Sequence, residues 1–348
     1  MQTKIYTHAE AFEQLASEWD DLLERSVNAP FFMRHAYQST WWKYLGNDDL
    51  ALIAVRTDDG TLVGLAPLYR KTNSAGLVEL TFVGCVDVSD YLDLLVDAEH
   101  VDSVYQAILD VLEGGEIAWD GLYLCSLPQK SITHTRFAEA ARARGWVVEM
   151  SRQDVCPVIT LPDSWEAYLA GINKKQRHEI RRKMRRIHNE ADTRWVVIES
   201  EADMPAAIDE FIALHQKSTQ DKEDFWSDSL VAFFKDVAQK LAAAGWLKLY
   251  FIEVNGVRAA AMLGFDYNNE FLLYNSGYDP DQFASLSPGN VLTSYTIQHA
   301  IELGRSRYDF LRGDEVYKFR FGAEAEPVFD LRIHRPQAGG GSINVEGC

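Results

Sequence analysis

The stretch LALIAVRTDDGTLVGLAPLY, residues 50–69, decides the fold because a stretch of the same pattern follows it 196 residues later. The second stretch is WLKLYFIEVNGVRAAAMLGF, residues 246–265. In each, two β-rich runs flank a dipeptide, Asp59-Gly60 or Asn255-Gly256, that can supply the positive φ values of a primed hairpin turn. Both stretches are therefore predicted to form β-hairpins within an internal repeat.

The sequence on either side of the two hairpins repeats in the same order. Upstream, IYTHAEAFEQLASEWDDLLERS (5–26) matches VIESEADMPAAIDEFIALHQKS (197–218), each typical of a short strand followed by an amphipathic helix. Downstream, each half has a third strand, a helix (about 101–112 and 288–303) and a further strand. Strand and helix do not alternate strictly, which disfavours a doubly wound dinucleotide-binding fold. We predict an α/β (α+β) protein with two tandem domains, each a mixed, mostly antiparallel sheet flanked by helices.

The chain length of 348 residues also favours two domains. The predicted segments are an N-terminal domain (1–155), a linker with a basic helix (156–190), a C-terminal domain with the donor site (191–335) and a flexible tail (336–348). The alternative is a chance similarity between two unrelated α/β pieces.

The N-terminus and the cysteines indicate the compartment. MQTKIYTHAE lacks the basic and apolar runs of a secretory signal, and no apolar run reaches the roughly 18 residues of a membrane span. We therefore expect a cytoplasmic protein. The four cysteines are scattered without metal-site spacing, so we expect reduced thiols and no bound metal. They are Cys85, Cys125, Cys156 and Cys348.

The net charge of −18 argues against DNA and against broad nucleic-acid binding, which requires neutralised phosphates. Residues 173–188 depart from this average, with eight basic residues and one acid. They predict a solvated helix, because the cations fall on several faces. The segment would serve as an exposed structural helix, a clamp for an anionic donor or acceptor, or a docking site for tRNA or an anionic membrane. The acidic remainder makes tRNA the least favoured of these.

The clearest helix start is Ser287-Pro288-Gly289-Asn290. Serine suits the N-cap, proline suits the first helical position, and Gly304 lies where the helix should end. Free N–H groups at such a start can bind a pyrophosphate, and Gly289 would allow close approach. The same four residues also begin many helices that bind nothing.

A polar cluster follows this helix and carries a family resemblance. The run DFLRGDE-x-YK (309–318), preceded by SPG and a helix ending in glycine, resembles the C-terminal signature of GNAT-type acetyltransferase-domain proteins. These are the BioF-associated and CelD-like group, relatives of the FemAB aminoacyl transferases. The N-terminal half is also similar to that group, and the likeness covers about residues 10–325. The N-terminal matches are Pro30-Phe31-Phe32, Trp42, Gly64-x-x-Pro67 and Ser89-Asp90-Tyr91-Leu92-Asp93.

The resemblance implies tandem GNAT-like domains that transfer an acyl group to an amine. The co-substrate would be acetyl-CoA or another acyl-CoA, and the acceptor a small-molecule, glycan or peptide amine, with cell-envelope or polysaccharide biosynthesis as one setting. The sequence departs from the R/Q-x-x-G-x-G/A phosphate loop of GNAT enzymes, because only Gly289 remains of its two small positions.

The steps of acyl transfer from a thioester suggest roles for several residues of the C-terminal half. Asp309 or Glu315 would act as the base or hold the incoming ammonium group, and Tyr317 would protonate the thiolate. Lys318 and Arg312 would neutralise phosphates or carboxylates. Backbone N–H groups of the strand Tyr274–Tyr278 would stabilise the oxyanion, with Tyr274 and Tyr278 beside the substrate. The alternative is a surface salt-bridge cluster at the end of a strand.

Two further groups of residues are open to two interpretations each. His215 lies on a predicted helix, where it is either a base in the substrate cleft or, as we favour, a half-buried histidine with local hydrogen bonds. Asp90, Tyr91 and Asp93 of the first half either face the acceptor or simply close a strand.

Three functions compete at this point. The first is an acyl-CoA-dependent N-acyltransferase. The second is FemAB-like transfer of an aminoacyl group from charged tRNA to a peptidoglycan precursor. The third is a binding protein with a decayed donor site, which the reduced phosphate loop favours.

Overall fold

A computed structural model describes residues 1–47, 49–85 and 88–336. The described residues form two compact units, one of Met1–Gln153 together with residues 328–336, and one of Asp154–Pro327. Residues 156–190, predicted to be a linker, lie in the second unit. The predicted tail, apart from Pro336, lies outside the described residues.

The first unit contains helices and strands in the order that the repeat predicts. Its elements are β1 (Gln2–Tyr6), α1 (Glu10–Arg25), α2 (His35–Leu45), β2 (Leu52–Arg56), β3 (Leu62–Ala66), β4 (Leu68–Thr72), β5 (Val78–Phe82), β6 (Leu95–Val96), α3 (Val101–Gly114), β7 (Gly121–Pro128), α4 (Ala138–Ala143) and the start of β8 (Val147–Thr160).

The second unit repeats this order and adds helices before and within it. Its elements are α5 (Trp165–Gly171), α6 (Lys174–Glu190), β9 (Thr193–Ile198), α7 (Met204–Ser218), α8 (Gln220–Asp224), α9 (Asp228–Ala243), β10 (Leu247–Val254), β11 (Val257–Tyr267), β12 (Glu270–Tyr278), α10 (Pro288–Glu302), β13 (Arg307–Asp309), α11 (Val316–Arg320) and the start of β14 (Glu324–His334).

The sheets are mixed and mostly antiparallel, as predicted. In the first unit the strand orders are β1-β2-β3-β6 and β4-β5-β7-β14, with β5 and β7 parallel. In the second unit the order is β8-β13-β12-β11-β10-β9, and β12 with β13 is its parallel pair. Helices flank the sheets, so the predicted fold class is confirmed.

The hairpin of β10 and β11 shows why the repeated stretch folds as predicted. Asn255 and Gly256 have φ values of 52° and 78°, as a primed turn requires. Every residue of β10 except Glu253 is buried, because α10 and α9 both pack on the sheet. Ile297 of α10 is fully buried in this core, and such a side chain contributes about 1.5–3 kcal/mol.

The helix α6 differs from its prediction as a solvated helix. It spans Lys174–Glu190, but Ile180 and Ile187 are buried and Met184 packs against the core of the second unit. The prediction is wrong because three apolar positions, spaced about one turn apart, suffice to seat one face of a helix that is basic elsewhere.

The prediction that all cysteines are reduced is also corrected. Cys85 and Cys125 form a disulfide, and Cys156 is free and buried. Cys85 follows β5 and Cys125 lies in β7, so the parallel pairing of these strands brings together two thiols that are 40 residues apart. Cys348 lies outside the described residues. Among the described residues, no helix combines the length and apolar character needed to cross a bilayer.

Candidate active site

The central feature of the second unit is the point where β12 and β13 separate. They pair only over Glu270–Leu272, whereas β12 continues to Tyr278. On the other side of β12 the register with β11 shifts, which leaves Tyr274 as an extra residue. The strand predicted to lie beside the substrate therefore leaves its parallel neighbour after Leu272.

Side chains from α7 and from β12 itself occupy part of this open edge. The N–H of Ser276 donates to Asn275 Oδ1 at 2.9 Å, and that of Tyr278 donates to Ser218 Oγ at 2.8 Å. Two amides of the predicted oxyanion segment are thus already bonded. Tyr274 packs its ring against Phe234 at 6.0 Å between centroids, while Tyr278 is exposed.

His215 is held by two hydrogen bonds that define its tautomer. Nε2–H donates to Asn275 Oδ1 at 2.7 Å, and Nδ1 accepts from Trp226 Nε1 at 3.0 Å. Burial and then the nearby Lys222 charge lower the pKa of His215 to about 4, whereas the hydrogen bond to Asn275 acts weakly in the opposite direction. The ring is neutral with both nitrogens engaged, so it positions β12 against α7. Gly277 permits this contact, because a β-carbon there would lie 2.5 Å from the backbone nitrogen of His215.

The neutral state of His215 predicts a stability change with pH. The folded pKa of about 4 lies below the ordinary value of 6.5. The contribution is therefore complete above about pH 6.5 and is lost as pH falls toward 4, by about 3 kcal/mol. We expect urea unfolding to show this loss in the wild type but not in His215→Gln, which keeps a donor and does not titrate. Parallel pH curves for the two proteins would contradict the assignment.

Lys222 of α8 is a site residue that the sequence did not reveal. Its Nζ donates to the backbone oxygen of Ser276, beyond the point where β12 leaves β13. Burial lowers the pKa of Lys222 to about 8, and Glu315 opposes this shift. Within the polar run QDKED no local signal distinguishes it from a solvated lysine.

The signature DFLRGDE-x-YK forms a tight turn between β13 and α11. Leu311 and Gly313 both have positive φ, at 54° and 115°. Lys318 is buried, and its Nζ donates to the carbonyls of residues 311, 312 and 313 at 3.2, 2.8 and 3.1 Å and to Glu315 Oε2 at 2.8 Å. The ammonium group thus closes the turn and, contrary to expectation, is not available to a phosphate.

The other predicted chemical groups surround this turn. Asp309 is buried at the end of β13 and accepts from the Leu311 N–H at 2.7 Å. Glu315 is exposed except for its bond to Lys318. Burial, followed by the Glu315 charge, raises the pKa of Tyr317, so its phenol keeps its proton at neutral pH. Arg312 lies half-buried within the turn. Glu315 and Tyr317 keep the roles predicted for them as proposals.

The helix start at Pro288 differs in one respect from its prediction. Pro288 is the first helical residue, as expected, but Ser287 has φ 55° and its side chain makes no capping bond. A β-carbon on Gly289 would meet no atom within 4 Å, so the space above the first turn is open. Asn290 and Ser294 of this helix line a cavity.

That cavity has a volume of about 710 Å³ and lies between α6, the first turns of α10 and the end of α11. Its lining includes four cations and one acid; the cations are Lys174, Lys175, Lys183 and Arg320. Arg182 binds the acid, Glu179, at 2.7 Å. Burial lowers the pKa of Lys183. The Glu179 charge raises this pKa, and the Arg182 and Arg320 charges lower it further. The cavity is therefore suited to an anion, which would relieve this repulsion.

The three predicted residues of the first half all lie in the first unit. Asp93 is buried and accepts from Asn28 Nδ2 at 2.9 Å and from Thr133 Oγ1 at 2.6 Å. Burial raises its pKa against these bonds. Its partners make it a bonded core carboxyl that holds the segment between β5 and β6. Asp90 and Tyr91 are half-buried beside it. In the described part of the chain, no cluster of three or more His, Cys, Asp or Glu residues could hold a metal.

The second unit has a mostly antiparallel sheet, and its one parallel pair of named strands separates beside the start of a helix. This arrangement is typical of acetyltransferase-type α/β domains. Residues 174–319 match the family model of the acetyltransferase (GNAT) domain. The chain therefore carries a GNAT domain within its second unit, which confirms the resemblance of the C-terminal signature.

Several solved structures are similar in fold to this protein over nearly the whole length of the chain. FemX has a TM-score of 0.64 at 12% identity, covering 95% of this chain and 97% of that one. The C-terminal domain of a putative lysylphosphatidylglycerol synthetase from Agrobacterium fabrum has a TM-score of 0.58 at 11% identity, covering 93% of each chain. L-PGS from Bacillus licheniformis has a TM-score of 0.56 at 10% identity, covering 90% of each. No curated protein matches the chain in sequence. At these identities the likeness is one of fold.

Proposed function

We propose that the second unit is an acyltransferase that moves an acyl group from an acyl-CoA thioester to an amine. The observation that carries this proposal is the basic cavity of about 710 Å³ beside the start of α10, whose lining lies within the matched GNAT segment except for Arg320 and Phe321. Coenzyme A carries several phosphate charges, and the cations of the cavity together with free N–H groups of the first helical turn suit such a ligand.

The reacting end of the donor would lie where β12 leaves β13. A neutral amine attacks the thioester carbonyl, the C–S bond breaks, and the thiolate takes a proton. Glu315 is exposed enough to hold the incoming ammonium group and accept its proton, and Tyr317 keeps a phenolic proton for the thiolate. Backbone N–H groups of the strand Tyr274–Tyr278, other than those of Ser276 and Tyr278, would stabilise the oxyanion.

Thermal-shift measurements test the donor directly. We expect acetyl-CoA and free coenzyme A to raise the melting temperature, because a ligand that binds only the folded state stabilises it. Longer acyl-CoAs would report the acyl length. The absence of a shift with all of them would remove the proposal. Release of free thiol from acetyl-CoA in the presence of an amine separates a transferase from a protein that only binds the donor.

A second candidate is an aminoacyl-tRNA donor, favoured by exposed cations of α6 that are not among the residues lining the cavity. Arg181, Arg182 and Arg185 are all exposed. Phosphate binding by such residues weakens steeply with salt. Total tRNA that binds and displaces coenzyme A, with a steep dependence on salt, would favour this donor.

A further inference from the structure

We propose that Lys222 is an internal acyl acceptor, a lysine that takes the acyl group from the bound thioester and becomes an amide. The proposal rests on the proposed function, because it requires the donor at the opening between β12 and β13. Its geometric basis is the contact of Lys222 Nζ with the backbone oxygen of Ser276, on the part of β12 that β13 no longer covers.

The surroundings of Lys222 favour the nucleophilic form of its amine. Burial lowers its pKa to about 8, with Glu315 as the opposing charge. At pH 7.5 about a quarter of such amines are neutral, against about 0.1% for a lysine with the ordinary pKa of about 10.4. The residue is half-buried rather than fully enclosed, so part of it remains accessible to a donor.

The covalent step balances without any further reactant. The neutral Nζ attacks the thioester carbonyl, a C–N bond forms, and the C–S bond breaks. The proton that the nitrogen loses goes to the departing thiolate, so the products are an amide on Lys222 and free coenzyme A. The amide carries no charge, so Glu315 loses a cation in its vicinity. The modification would thereby change the charge of the acceptor side of the site.

Peptide mass spectrometry of the full-length protein after incubation with acetyl-CoA at pH 8 tests the proposal. We expect acetylation of Lys222 at least about tenfold faster than of Lys217, which is more exposed and paired with Asp279 at 3.2 Å. Lys217→Arg should leave the Lys222 signal unchanged, and Lys222→Arg should abolish it. The melting temperature of each variant, measured alongside, confirms that it folds.

Two further measurements separate the possible failures. Trace labelling with acetic anhydride across pH 6–10 needs no donor site, and the reactivity of Lys222 should have a midpoint near 8. A midpoint near 10 would overturn the inference. A thermal shift by acetyl-CoA without acetylation of Lys222 would overturn the inference alone, and the donor site would stand. Acetyl-CoA that neither binds nor acetylates would overturn both. Lys183→Glu should slow acetylation by acetyl-CoA but not labelling by the anhydride.

Discussion

A Lys183→Glu, Arg320→Glu double variant is expected to bind acetyl-CoA about a thousandfold more weakly than the wild type, a loss of about 4 kcal/mol. Both side chains line the basic cavity, and Arg320 already lowers the pKa of Lys183. Reversing each charge turns an attraction for a phosphate into a repulsion, a change of about 2 kcal/mol per residue. Isothermal titration calorimetry with coenzyme A and acetyl-CoA measures the change.

The matched control is Arg181→Glu, Arg185→Glu, which changes the net charge equally on exposed positions of α6 outside the cavity. We expect it to weaken binding less than about fivefold, because water and salt screen charges on exposed side chains. Equal losses in both double variants would show that the ligand binds the whole basic helix, as a nucleic acid does, and would contradict the cavity as the donor site.

Lys318→Met is expected to lower the free energy of unfolding by about 4 kcal/mol. The residue is 3% exposed, and its ammonium group bonds three carbonyls and Glu315. Methionine fills a similar volume but leaves the carbonyls of a strained turn without a donor, and removal of one partner of a buried charged group costs about 3–5 kcal/mol. Urea unfolding monitored by tryptophan fluorescence measures the loss.

The control for this variant is Lys235→Met, which removes an exposed ion pair with Asp209 (2.7 Å) in the same unit. Such pairs contribute about 0–1 kcal/mol, so the free energy of unfolding should hardly change. A loss below about 1 kcal/mol in Lys318→Met would mean that the turn from Asp309 to Glu315 closes without the ammonium group. Lys318 would then be free for the phosphate role first predicted for it.

The signature DFLRGDE-x-YK shows how a motif can be found without its role being understood. The sequence placed acids, bases and a phenol within ten residues, and the structure does bring Glu315 and Lys318 into contact. The spacing did not indicate that Leu311 and Gly313 adopt positive φ values. Nor did it indicate that the Lys318 ammonium group donates hydrogen bonds to the carbonyls of this turn. Much of the signature therefore specifies a backbone conformation.

Residues of α7 and α8 illustrate the opposite case. His215 was predicted to make local hydrogen bonds, yet its bonded partner Asn275 is 60 residues away along the chain. Lys222 was not singled out, because its reactivity depends on burial and on contact with Ser276, 54 residues away. Neither a window of sequence nor a periodicity contains such information.

The order of strands and helices, the two hairpins and the start of α10 at proline follow from the sequence, because periodicity and turn dipeptides act over a few residues. The seating of α6 on Ile180 and Ile187, the pairing of Cys85 with Cys125 and the basic cavity do not. They depend on which distant segments come into contact. The burial and the neighbouring charges that result determine whether a lysine holds a turn, as Lys318 does, faces an anion site, as Lys183 does, or has a lowered pKa, as Lys222 does.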